Sequence, residues 1–229
     1  DMIQTDTAWR KLWGSGSGSY NLDFALWNDG TTKLQSYYGT KTNTAVPITS
    51  MSLNVDANKN IWEYSGETIT FDKNNFACAY SMYIFNVNKD NSSAYLPGMM
   101  KLYLFKIYDN DVLVRDFIPC KNTSGIVGLY DSVNNQFYQN VGSGAFIAGP
   151  ETPSISVDKI TINYLGNNDV LDIDNKPIKE LSKDTEWIFQ YVAGSAVELE
   201  YIEASGTQYI DTGFKPNSNT RVVCKVSSD

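Results

Sequence analysis

Histidine is absent from this chain. That removes the commonest general base, the commonest transition-metal ligand and every catalytic triad built on imidazole. Cysteine is scarce, with Cys78, Cys120 and Cys224 the three present. No two stand at a C-x-x-C spacing, which argues against zinc, and the odd number argues against a full disulfide framework. Cys120 and Cys224 each lie in an apolar run, where a buried free thiol is a simpler expectation than a bridge. No apolar run approaches the roughly 18 residues needed to cross a bilayer. The first residues, DMIQTDTAWRK, hold no apolar stretch of signal-peptide type. Basic charge is short as well: Lys and Arg total 18 against 26 Asp and Glu, a formal net charge of −8. An acidic surface repels phosphate backbones, so nucleic-acid binding is not expected.

Aromatic side chains are abundant, with 15 Tyr, 10 Phe and 5 Trp in 229 residues, and that enrichment favours strands. Short alternating or β-rich runs recur along the chain, bounded by Gly, Asn, Asp or Ser. YNLDFALW (20–27) puts Leu22, Phe24 and Leu26 on one face, NDG (28–30) signals a hairpin turn, and TKLQSYYG returns from it. CAYSMYIFNVN is long and apolar, as a strand buried on both faces would be. KLYLFKIYDNDVLVRDFIPC is the clearest hairpin, turning at DND, and GIVGLYDSVNNQFYQNVG repeats the pattern. No segment carries a helical period. The expectation is an all-β sandwich. GPETPS (149–154) reads as a linker and AGSA (193–196) as a second joint, which divides the chain into 1–150, a small β module at 151–195, and 196–229.

The last part, LEYIEASGTQYIDTGFKPNSNTRV, resembles the first strands of a concanavalin A-like lectin/glucanase (laminin-G-like) jelly-roll domain. Such domains occur in phage tail proteins and surface proteins of gut bacteria. KLYLFKIYDNDVLVRDFIPCKNTSGIVGLYDSVNNQFYQNVGSGAFIAGP is similar to the closing strands of the same domain. The order in this chain is reversed. The resemblance, which covers nearly everything except 151–195, implies a jelly-roll body at 1–150 that lacks its first strands and a tail at 196–229 that supplies them. Circular permutation, a tandem array cut within each repeat, and donor-strand complementation between copies all fit. Each has the same driver: a sandwich without its first strands exposes unpaired edges and an uncovered core. The tail is therefore expected to pair with a 1–150 body, its own or a neighbouring copy's.

Sugar binding is that family's general business. The resemblance implies a non-catalytic carbohydrate-recognition or adhesion module on a phage tail, hence in the virion, or on a bacterial cell surface. Its partners would be a cell-surface glycan and neighbouring copies of itself, with avidity gained by repetition and no membrane insertion. A structural spacer or assembly unit is the first alternative and a glycoside hydrolase the second. Aromatic faces stack on the apolar faces of pyranose rings, while Asn and Asp fix hydroxyls. The candidates are Trp27 with Asn28 and Asp29 at a hairpin tip, Tyr37 and Tyr38 after it, and Trp62 with Tyr64. Trp9 and Trp13, in AWRKLWG, read as core. The family's glucanases use an E-x-D-x-x-E strand. ELEYIE offers Glu198, Glu200 and Glu203, with Glu in place of the central Asp and in the opening strand, so solvent-facing acids are expected and no catalytic residue is assigned. No cofactor is expected. The loops DANKN (56–60), NKDN (88–91) and YDND (108–111) offer oxygens of the kind calcium takes. SGSGS (15–19) lacks the frame of a phosphate-binding loop.

Overall fold

The structure, a computed structural model, describes residues 10–16, 22–28, 33–38, 40–47, 51–56, 59, 61–64, 67–70, 75–93, 97–152 and 196–227. Among them every regular element is a strand and none is a helix. The chain divides into two compact units, Asp1–Thr152 with Gly194–Asp229, and Pro153–Ala193. The second lies outside the described residues.

β1 (Lys11–Gly16), β2 (Leu22–Asn28), β3 (Lys33–Tyr38) and β4 (Thr40–Pro47) follow one another as an antiparallel meander. β5 (Met51–Asp56), β6 (Ile61–Tyr64) and β7 (Glu67–Thr70) make a second. The short β8 (Tyr83–Ile84) and β9 (Asn88–Lys89) return to β1, β8 antiparallel and β9 parallel, and β10 (Ser92–Ser93) pairs with β9. A third meander comprises β11 (Met99–Asp109), β12 (Val112–Lys121), β13 (Val127–Asp131) and β14 (Gln136–Gln139), with β15 (Ile147–Ala148) after it. The tail contributes β16 (Val197–Glu198), β17 (Ile202–Ser205), β18 (Ile210–Asp211) and β19 (Thr220–Ser227).

These strands form two sheets, which pack as a β-sandwich. The first runs β10-β9-β1-β2-β3-β4, with β8 between β1 and β18. The second runs β14-β13-β12-β11-β19-β5-β6-β7, with β16 on β12 and β17 between β11 and β15. The tail therefore enters both sheets. β12 stays with β11 only as far as Phe105↔Phe117, and β16 and β17 take the place it vacates, at Cys120↔Glu198 and Leu102↔Ile202. Gly206, at φ +96°, turns the chain out of β17 towards β18 and the first sheet; a side chain would strain that conformation. β19 then returns to the second sheet and lies between β11 and β5 from Arg221 to Val226.

The core sits between the sheets. Trp13 of the first sheet meets Phe105 of the second edge-on, with centroids 6.2 Å apart and planes at 82°, an arrangement that suits the ring quadrupoles. Phe24, Leu26, Ile84, Ile107, Phe117, Leu129, Ile202, Val222 and Val226 surround that pair, all buried, and burying a side chain of this size contributes about 1.5–3 kcal/mol. In β11 the inward residues are Met100, Leu102, Phe105 and Ile107. Leu102 and Phe105 are an odd number of positions apart, so strict alternation would send one of them outward. A bulge resolves the conflict. Leu102 pairs with Val226 and Leu104 with Lys225, leaving Tyr103 as the extra residue.

One sequence expectation is overturned. CAYSMYIFNVN is buried from Met82 to Val87, as its composition suggests, but it is not one long strand. It breaks at Phe85, a non-glycine residue at φ +66°, whose carbonyl accepts from Gly98 N at 2.6 Å. Upstream, Cys78 N and Met82 N donate at 2.7 Å to the carbonyls of Pro216 and Phe214, so tail backbone rather than a long ladder satisfies this segment. All three cysteines are free and buried.

Candidate functional site

The sequence candidates do not gather at one place. Trp27, Asn28, Tyr37 and Tyr38 lie on β2 and β3 in the first sheet, whereas Trp62 and Tyr64 lie on β6 in the second. Asp29 and Trp9 lie outside the described residues. The β2–β3 register pairs Ala25 with Tyr37, Trp27 with Gln35, Phe24 with Tyr38 and Asn28 with Leu34. In the β5–β6 pair Trp62 is opposite Val55 and Tyr64 opposite Leu53. Trp13 is 1% exposed and belongs to the core. Glu198 and Glu203 sit on separate strands, β16 against β12 and β17 against β11, with buried Leu199 and a bend at Glu200 between them.

The loop oxygens considered for calcium are engaged locally. Asp56 caps its own turn through Lys59 N at 3.1 Å, and Asp109 accepts from Asn217 Nδ2 at 3.2 Å. Asp90 and Asn91 form the left-handed turn between β9 and β10. Among the described residues His, Cys, Asp and Glu nowhere gather in threes.

A different constellation forms where the edge of the second sheet meets the tail strand β18. Arg115 of β12 lies opposite core-facing Ile107, so its side chain belongs to the inter-sheet side. Its Nε lies 3.5 Å from Asp131 Oδ2 and donates to the Thr212 carbonyl at 3.3 Å. Asp131 is wholly buried and saturated: Oδ1 accepts from Asp116 N at 3.0 Å and Val133 N at 3.1 Å, and Oδ2 accepts from Asn134 Nδ2 at 2.6 Å. It is a turn cap, not a reagent. The second carboxylate, Asp211, is only half-buried and accepts from Gly213 N at 2.9 Å.

Two phenols flank Asp211. Tyr83, directly opposite it in the β8–β18 pair, is pushed up to about 12 by burial, then by the charge of Asp211 and by Tyr209. Tyr138 is also raised; burial leads, the nearby Arg115 charge opposes, and Asp131 and Asp211 add to the rise. Both remain neutral hydroxyls at physiological pH. The ring of Tyr83 stacks on Tyr209, with centroids 4.8 Å apart and planes at 25°. Tyr209 is held from its backbone by Asn140, whose Oδ1 accepts Tyr209 N at 3.0 Å, while Val141 N donates to the Tyr209 carbonyl at 2.9 Å. The result is a half-buried ring fixed on a buried one, beside a carboxylate, two neutral hydroxyls and a guanidinium. Such a set can stack a flat apolar surface and hydrogen-bond polyol groups at its rim.

Sequence reasoning did not find this cluster. Its members come from five strands or strand-flanking segments far apart in the chain, and in the sequence only Tyr209 and Asp211 of QYIDTG stand close together. Comparison of the chain with family models, curated proteins and solved structures finds no match.

Proposed function

We propose that this chain is a non-catalytic carbohydrate-recognition module of concanavalin A-like jelly-roll type. It would act in adhesion on a phage tail or a bacterial surface. The observation that carries the reading is the rigid Tyr83–Tyr209 stack beside Asp211, a platform and acceptor pair suited to one pyranose ring. Each contact is weak, and repetition along a fibre or array raises avidity.

A glycan array with the purified chain tests this, with Tyr209→Ala as the contrast. Loss of one stacking contact, about 1 kcal/mol, weakens binding five- to tenfold, and an unchanged melting curve certifies the fold. A chain that binds no sugar at any valency overturns the reading.

One observation favours a second reading, an assembly unit completed by strand exchange between copies. β19 is an interior strand of its sheet, flanked by β11 and β5, and reaches the body only through residues 153–193. The same ladder could be filled by a neighbour's tail.

A further inference from the structure

Of the three charges around the Tyr83–Tyr209 stack, two cancel and one is left over. Arg115 and Asp131 stand 3.5 Å apart. The guanidinium spends its donors inside the fold, Nε on the Thr212 carbonyl at 3.3 Å and Nη1 on the Val114 carbonyl at 2.8 Å, and it also hydrogen-bonds the Tyr138 hydroxyl. Asp131 is saturated by three further hydrogen bonds. Asp211 has no such counter-charge. Its Oδ1 accepts from Gly213 N at 2.9 Å, and among the described residues no Lys or Arg forms an ion pair with it. Lys215, the next cation along the chain, is exposed.

The rings beside Asp211 favour the same sign of ligand. The face of a tyrosine carries the negative part of its quadrupole and attracts cations. Tyr83 and Tyr209 stack with centroids 4.8 Å apart, and Tyr83 lies directly opposite Asp211 across the β8–β18 pair. The charge of Asp211 is felt at two phenols, since it helps to raise both Tyr83 and Tyr138. Ile210, between Tyr209 and Asp211, is buried in the core. Its two neighbours in the extended chain therefore project to the same side. They stand about 7 Å apart at the strand rise, a span that a pyranose ring covers with one substituent on its edge.

We propose that this site selects an amino sugar with a free ammonium group, its ring stacked on Tyr209 and its ammonium on Asp211. The proposal deepens the sugar-binding reading and rests on it. A hydrogen bond between an ammonium and a carboxylate is roughly twice as strong as a neutral one. An N-acetylated sugar brings only a neutral amide to Asp211, and a uronic acid brings a like charge.

Calorimetric titration of the full chain compares a glucosamine oligomer with the N-acetylglucosamine oligomer of equal length, at a mildly acidic pH that keeps the amines protonated. The glucosamine oligomer is expected to bind about tenfold tighter or more, with a preference that shrinks in high salt. Asp211→Asn, which keeps an oxygen for Gly213 N, is expected to abolish the preference, and Tyr209→Ala to weaken both oligomers. Equal affinities, a preference indifferent to salt, or a preference that survives in Asp211→Asn would each overturn the proposal and leave the sugar-binding reading standing. Undiminished binding of the glucosamine oligomer to Tyr209→Ala would place it elsewhere and overturn the proposal. So would choline displacing the oligomer as effectively as glucosamine does, since the site would then take any cation. Failure of both oligomers overturns this proposal alone if the glycan array shows another sugar bound, and both readings if it shows none. The comparison on the unaltered chain decides even where a variant fails to fold.

Discussion

Cys224 lies inside the sandwich near the indole of Trp13. Burial pushes its thiol from the ordinary 9 to about 12, with Trp13 pulling it partly back. Cys120 rises from 9 to about 12 for the same first reason, with the charge of Glu198 adding and a backbone hydrogen bond at Tyr130 opposing. Tyr83 rises from 10 to about 12. A group whose folded value is raised contributes stability that is present below its unfolded value and lost as pH climbs through the folded one. Lys11 works the other way: burial first, then Lys89, lowers it from 10.5 to about 8, so its contribution is present above 10.5 and lost as pH falls through 8. Three acids outweigh one base. The melting temperature is expected to decline from about pH 9 towards pH 12, and the decline to be shallower in Cys224→Ala. Parallel slopes for the two proteins, measured by circular dichroism, would show that the thiol does not titrate as described.

Turn chemistry is local, and for that reason the hairpins were legible before any coordinates. Asn110 and Asp111 adopt φ +48° and +61° between β11 and β12, and Asn135 adopts +55° between β13 and β14, the conformations Asn and Asp tolerate best. The slot filled by β16 and β17 depends on where two distant strands diverge, and no local pattern encodes that. β4 was missed because TKTNTAVP is polar and ends in proline, and β8 to β10, each two residues long, are too short to show a period. The site was less legible still: Tyr83, Arg115 and Tyr138 each look like ordinary strand residues until β18 brings Asp211 between them. The bulge in β11 makes a sharp prediction. Deleting Tyr103 removes the extra residue and leaves Leu102 and Phe105 in phase, so that variant folds with a modestly lower melting temperature. Deleting Lys106, another outward residue of the same strand, turns Ile107 outward and destabilises by about 2–5 kcal/mol or more. Equal losses for both deletions would contradict the assigned register.

At the scale of the whole molecule, the tail supplies Leu199, Ile202, Ala204, Ile210, Val222, Cys224 and Val226 to the core. Several such side chains at about 1.5–3 kcal/mol each match the whole stability of an ordinary domain, about 5–15 kcal/mol. A chain truncated after residue 195 is expected to be insoluble or unfolded alone, and to regain strand structure when a peptide of residues 196–229 is added. Light scattering of the full chain is expected to give one monomer mass at every concentration. A mass that rises with concentration and falls on truncation would instead favour exchange of tails between copies.

β19 has β11 on one flank and β5 on the other, and β1 has β2 on one flank with β8 and β9 on the other. Tension applied through the residues beyond either strand would slide an interior strand along two neighbours at once. Many hydrogen bonds would then have to rupture together rather than unzip in turn. Under load the relevant quantity is the rate of forced rupture rather than the equilibrium stability, and this placement of the two strands lowers that rate.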